Sequence, residues 1–352
     1  MRIFFYFISS IYLKNFFIIF IALLGFYCGI DLLLNFKKLP DSANLDLLYV
    51  LFLAFSAITY ILPLSLIFAL VLSLTTMIRN NELISLYALG LSKKIVVLYP
   101  FLWALFFCFV YIAFNFTSFA YANDYRKNIL KNGSANKQSG EVFLKFNDSF
   151  AYVGKLQSGS DSVSEIKIFN IKDFNLNSYI VAKEAFFSHN AWNLKEGNLT
   201  TLPKEYLLGE RGLEIQEFEI LEGLKGFEPK VIEGIASNSN YSIKDALISL
   251  SLFKAQNIST QAVKISLYKS IFTPFFAPFL MLIVCYFFPA ISRFFNLALV
   301  IFISIVATIL IWGILLLLTR LSENAVILSE VGIIMPVVIL AFLGLFMFYK
   351  NK

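Results

Sequence analysis

Charge is what this sequence has least of. Of its 352 residues 15% are charged and 59% hydrophobic, whereas a soluble domain carries about 25% charged residues. Histidine occurs once, as His189, in a stretch that reads as a turn. A lone histidine there reads as a surface or strand-end residue, and there is no His-Glu-x-x-His zinc motif. No Gly-x-x-x-x-Gly-Lys-Ser/Thr loop exists, which excludes ATP binding through a Walker A motif. No Gly-x-Ser-x-Gly elbow exists either, so the many serines have no nucleophile setting. Cysteine is scarce, and Cys28, Cys108 and Cys285 all fall in apolar runs, where thiols act as small hydrophobes. The polar middle of the chain has none, so no disulfide framework is expected. The net charge is +6, yet no basic, aromatic-interleaved patch points to nucleic acid. Nothing in the sequence therefore supports a metal centre or an enzyme active in its own right.

What the chain has instead is long apolar runs. A membrane-spanning helix needs about 20 mostly apolar residues, and six runs qualify: about 16–36, 47–78, 95–122, 271–291, 294–319 and 331–349. Pro63 is expected to kink the second. Pro274, Pro278 and Pro289 interrupt the fourth. Lys37-Lys38 follow the first run directly, without a small-residue cleavage site, so it reads as a span rather than a signal peptide. Phe is abundant, at 40 residues, as suits lipid-facing helices.

Basic residues in short loops orient such a bundle. Arg2, Lys14, Arg79, Lys93, Lys94, Arg293, Lys350 and Lys352 fall on one side against the single acid Glu82. The other side holds Lys37, Lys38 and Arg320 against Asp41, Asp46, Glu323 and Glu330. Both termini are therefore expected in the cytoplasm and the polar middle outside.

That middle reads as β structure. Alternating runs recur at Glu141–Phe146, Phe150–Leu156, Glu165–Asn170, Tyr179–Phe187, Ala191–Leu194 and Leu213–Ile220. Turn signals separate them at Asn147-Asp148, Ser158–Ser162, Asn175–Ser178 and Glu196-Gly197-Asn198. This spacing suggests a sandwich or an open jelly roll. A helical stretch, Ile243–Ala255, leads back, and Ser259 or Thr260 is placed to cap the helix that re-enters the membrane. The expected fold is thus an α-helical membrane protein with six transmembrane helices and an inserted all-β, jelly-roll-like domain. Its parts are 1–122, 123–240, a connector 241–268, and 269–352.

The segment Arg79–Lys94 joins the second and third runs. Asn80 or Asn81 is placed to cap a short helix at about 80–91, and Glu82 suits its positive end. Gly90 is a natural stop, and Ser92 starts the next helix. Leu83, Leu86 and Tyr87 offer an apolar face, which Leu89 could extend. Two readings fit: a helix lying on the membrane surface, or one docking in a groove of a cytoplasmic partner.

This segment resembles the coupling helix of the LptF/LptG (YjgP/YjgQ) permeases of the lipopolysaccharide exporter. Glu82, Leu83, Ala88, Gly90 and Ser92 match its pattern of acid, apolar helix and small-Gly-x-Ser turn. Tyr125-Arg126, Phe150-Ala151-Tyr152-Val153, Ile166–Phe169 and Ala191-Trp192-Asn193-Leu194 also fit, and the three-helix, β-domain, three-helix layout is that family's own. Asp31 and the stretch Tyr241–Lys269 look closer to LptG, while the Gly-Leu-Ser-Lys turn looks LptF-like.

The resemblance implies a permease without its own engine, in the bacterial inner membrane, with the β-domain periplasmic. It would pair with a second LptF/LptG-type permease and a dimeric LptB-type ATPase that holds ATP and Mg, no cofactor being needed in this chain. Lipopolysaccharide or lipooligosaccharide would pass from the cavity between the permeases to LptC and LptA. Glu82, Leu83, Leu86, Tyr87 and Gly90 would couple to the ATPase. Charge placement by itself suggests that Lys37, Lys38, Arg126 and Arg320, with Lys127 and Lys269 nearby in the sequence, form a cationic rim for lipid phosphates or serve as interfacial anchors. The resemblance supports Lys37, Lys38 and Arg126 among them but has no counterpart for Arg320. Asp31 would act as a gate charge beside the LptC helix, or pair with a nearby lysine. Two other readings stay open: a different ABC-linked, force-transmitting permease, and a membrane scaffold.

Overall fold

The computed structural model describes residues 2–133, 138–139, 142–146, 149–157, 162–172, 175–189, 191–203, 212–225, 241–255, 260–289 and 296–350. Arg293, Lys352, Ser259 and the expected turns at Asn147-Asp148 and Ser158–Asp161 lie outside the described residues. The chain divides into two compact units, Met1–Arg126 with Lys264–Lys352, and Lys127–Val263.

The first unit contributes most of six helices long and apolar enough to cross a membrane. They are Arg2–Lys38, Ala43–Arg79, Lys93–Phe114, Gln261–Phe287, Leu297–Glu323 and Glu330–Lys350, here spans 1 to 6. All six expected runs are present, with shifted ends. Span 1 starts at residue 2 rather than 16, because Lys14 is the only charged residue between Ile3 and Phe16. Span 3 stops at Phe114 rather than near Ala122. There the Asn115 amide donates to the Tyr111 carbonyl (2.9 Å) and the Thr117 hydroxyl to that of Phe114 (2.7 Å), satisfying orphaned carbonyls. A 3₁₀ turn, Ser118–Tyr121, and a helix, Ala122–Asn132, follow. Pro63 sits inside one continuous helix, Ala43–Arg79. Pro274 opens a single 3₁₀ turn, Thr273–Phe275, within span 4 and does not end it.

Span 2 is the hub. Leu66, Ile67, Leu70, Met77 and Ile78 are buried against Tyr12 and Phe16 of span 1, Ala104 and Cys108 of span 3, and Phe276 and Met281 of span 4. Lipid tails are as apolar as leucine, so such helices associate through close fit. Gly344 of span 6 illustrates this: a Cβ there would lie 2.7 Å from the Phe279 carbonyl oxygen of span 4. Spans 1 and 5 are the least covered, leaving Phe17, Ile18, Ile21, Phe302, Ile303 and Leu310 exposed.

The second unit holds an antiparallel sheet of β1 (Gln138–Ser139), β2 (Val142–Phe146), β3 (Ser149–Gln157), β4 (Ser162–Lys172), β5 (Asn175–Ser188), β6 (Ala191–Thr201) and β7 (Glu214–Gly223). Both β1 and β2 pair with β3, and β3 to β7 follow as a meander. The expected all-β domain is present, built from longer strands than the sequence runs suggested. Asn175–Ser178 and Glu196-Gly197-Asn198 lie inside β5 and β6 rather than in turns.

The second of these misreadings has a physical cause. Pairing skips one level from β3 to β7: between Val153↔Ile166 and Lys155↔Ser164, between Ile166↔Ala182 and Ser164↔Glu184, between Ala182↔Gly197 and Glu184↔Lys195, and between Gly197↔Phe218 and Lys195↔Ile220. The skipped residues, Gly154, Glu165, Lys183, Glu196 and Glu219, form one row across the sheet. Glu165 and Glu196 both have positive φ (58° and 49°). Inward residues change spacing at this row, from Ile168 and Ile166 to Val163 on β4, and from Ile180 and Ala182 to Ala185 on β5. The register is unbroken across this row, so no strand gains a residue there; the row marks where the inward-facing positions switch, within one continuous sheet. Gly197 is needed beside this row, because a Cβ there would meet the Val181 carbonyl oxygen at 2.2 Å. Ala151, Val153, Ile166, Ile168, Ala182, Ala185, Trp192 and Leu194 are buried in this unit.

The connector helix Ile243–Ala255 forms as expected. It opens on a reciprocal cap that went unread: the Asp245 amide donates to the Ser242 hydroxyl (3.1 Å), which donates to the Asp245 carboxylate (2.6 Å). The Ser-x-x-Asp spacing was the available signal.

Candidate functional site

The short helix is Glu82–Ala88, held between spans 2 and 3. Asn81 occupies its N-cap position with φ 58° and no side-chain cap bond, while the Asn80 amide donates to Glu82 Oε1 (3.0 Å). At the other end the Gly90 amide donates to the Tyr87 carbonyl (3.0 Å) and the Leu91 amide to that of Leu86 (3.2 Å). Gly90 has φ 85°, so this is a glycine-terminated helix end of the expected kind. Ser92 takes the N-cap position of span 3.

The apolar face points the other way from the expectation. Leu83 and Leu86 are 3% and 5% exposed and belong to the chain's own core, with Tyr87 packed against it. That core desolvates the Tyr87 phenol and pushes it up to about 12. A helix of seven residues cannot hold itself, so its leucines anchor it to the bundle. The surface left outward is Arg79, Asn80, Asn81, Ser85 and Ala88–Gly90, with Glu82 half-buried beside it; Leu89 alone is a large exposed apolar residue there, at 69%.

The opposite end of span 2 carries the other predicted residues. Lys37 and Lys38 are exposed on a 3₁₀ turn, Phe36–Lys38, between spans 1 and 2, and neither has a charged partner among the described residues. Asp31 and Arg126, assigned separate roles in the sequence, meet here. Arg126 Nη1 donates to Asp31 Oδ2 at 2.8 Å, both side chains being largely buried. The Tyr49 hydroxyl and the Asn35 amide (3.1 Å) donate to Asp31 Oδ1. Arg126 Nη2 reaches the Asn123 side chain at 3.4 Å, and its Nε is buried with no partner among the described residues. Asp31 thus pairs with an arginine rather than with a nearby lysine. Asn35 and Tyr49 were not read as site residues. Asn35 has the helical spacing of four to point at Asp31; nothing local points from Asp31 to Tyr49.

Arg320 also has a partner. Its guanidinium reaches Glu323 at 2.8 Å while remaining 74% exposed, and Glu323 also accepts from Lys269 at 3.1 Å. Close by in sequence, Lys264 of span 4 pairs with Glu330 of span 6 at 3.1 Å. No group of His, Cys, Asp and Glu suited to hold a metal ion occurs among the described residues.

A family model described as the lipopolysaccharide export system permease LptF/LptG matches residues 6–350. A search of curated proteins gives no match. The matched family takes in LptF and LptG together, so it does not divide one from the other.

Proposed function

The chain belongs to the LptF/LptG family of lipopolysaccharide export permeases, and from that premise we propose that it is one of two permease subunits of an ABC-type exporter of the inner membrane. The match over nearly the whole chain is the observation that carries this reading. Both termini and the short helix Glu82–Ala88 lie in the cytoplasm, and the β unit lies in the periplasm. A dimeric LptB-type ATPase hydrolyses ATP and pushes on the surface around Arg79, Glu82, Ser85 and Leu89. A second LptF/LptG-type permease completes a cavity that takes lipopolysaccharide or lipooligosaccharide from the bilayer, and LptC and LptA receive it. The exposed apolar surfaces of spans 1 and 5 support this assembly, since helices so little covered by their own chain have area left for lipid or a partner.

Affinity purification of the chain from its native membrane tests the proposal. We expect an ATPase and a second permease to accompany it, with a phosphorylated glycolipid found by mass spectrometry. Recovery without an ATPase, or with phospholipid alone, rules the reading out.

A further inference from the structure

Span 3 opens, just after the short helix, with Lys93-Lys94, which the sequence marks only as positive charge on one membrane face. In the structure each lysine reaches a different span: Lys93 span 4 and Lys94 span 6. Lys93 Nζ donates to the Tyr286 carbonyl (3.0 Å) and the Phe288 carbonyl (3.3 Å). These lie at the end of span 4, where Phe288 has left the helix with φ −73° and ψ 128° and Pro289 follows. The last carbonyls of a helix lack partners within it, and a cation there also meets the negative end of the helix dipole. Lys93 supplies both. Lys94 Nζ sits 5.2 Å from the ring centroid of Tyr349, in the last turn of span 6.

The short helix is joined to this lysine pair by a stiff path. Leu86 is buried, the Leu91 amide is bonded back to its carbonyl, and Leu91 is itself buried. Lys93 is then the first residue of span 3. A push on the short helix therefore meets spans 2 and 3 through the chain and spans 4 and 6 through Lys93 and Lys94.

We infer that Lys93, supported by Lys94, is a positioning residue that fixes the short helix to the ends of spans 4 and 6, so that a displacement of that helix moves spans 4 and 6 together with spans 2 and 3. This rests on the reading of the short helix as the point where an ATPase pushes. The link itself is tested on the purified permease, and its consequence on the complex in nanodiscs. Spin labels at Ser85→Cys and Phe287→Cys, in a cysteine-free background, report the distance between short helix and span 4. We expect one narrow distance with Lys93, a broadened distribution in Lys93→Met, and a narrow one again in Lys93→Arg. In the complex, glycolipid released per ATP hydrolysed should fall about threefold in Lys93→Met and recover in Lys93→Arg. Wild-type behaviour of Lys93→Met in either measurement overturns the inference. Absence of any ATPase from the wild-type preparation would sink the proposed function, while the distance measurement still decides the link. If Lys93→Met does not accumulate, Tyr349→Ala, at an exposed ring, takes its place. A fall of about twofold in glycolipid per ATP is expected there, and an unchanged ratio overturns the inference.

Discussion

Asp31 holds a charge at the edge of an apolar helix because three side chains meet its two oxygens. Arg126 takes one, and Tyr49 and Asn35 share the other. A carboxylate at such depth is costly when alone, and removing one member of a largely buried pair leaves the other uncompensated. Asp31→Asn and Arg126→Met should therefore each lower the stability of the purified permease by about 2 kcal/mol. The double variant should lose clearly less than the sum, as read from unfolding midpoints in detergent; strictly additive losses would show that the pair contributes nothing. That Asp31 needed a partner was legible, since it is the one acid in a long apolar run. Which partner was not, because Arg126 lies 95 positions away and only the packed bundle brings it there. The same holds for Lys93, whose acceptors are backbone carbonyls that no residue type announces.

At the scale of the element, the short helix separates what punctuation reveals from what it hides. Gly90 and Ser92 mark its end correctly, because a left-handed stop and a helix start are local backbone demands. The direction of Leu83 and Leu86 was not fixed locally, because a partner's groove and the chain's own core are equally apolar. Burial now divides two substitutions that the sequence alone would have treated alike. Leu86→Asp puts a charge into the core and should prevent accumulation or lower the unfolding midpoint sharply. Leu89→Asp, on an exposed position, should leave the midpoint within a degree or two, and it should weaken recovery of the ATPase severalfold. Full recovery of the ATPase with Leu89→Asp would move the docking surface elsewhere. In the β unit the lesson is similar. Glu196-Gly197-Asn198 has turn chemistry, and Glu196 takes a positive φ, but the strands on both sides continue the ladder in register, so the turn signal sits inside a strand. Gly197→Val should unfold this unit, losing several kcal/mol through the clash with the Val181 carbonyl, measurable as lost β signal in circular dichroism.

For the whole molecule, the question is which cations remain available to an anionic lipid. Four were singled out from sequence, and the fold sorts them. Arg126 is engaged by Asp31 and Arg320 by Glu323, which also holds Lys269. Lys37 and Lys38 stand exposed without a carboxylate among the described residues, at the end of span 1, one of the two helices that the rest of the chain covers least. A phosphate that approaches this end meets Lys37 and Lys38 with no counter-ion to displace, whereas Arg126 must first give up a 2.8 Å bond. Point charges of this kind weaken with salt over about 10 Å at 0.1 M. A photo-crosslinker at Leu34 should therefore capture glycolipid in the wild type, less so as salt rises. Lys37→Glu with Lys38→Glu should cut the yield severalfold, while Arg320→Ala should change it less than twofold. Equal yields from the double charge reversal and the wild type would place the phosphate contact away from this turn, and leave the Asp31–Arg126 pair, opened by the lipid, as the cation that receives it.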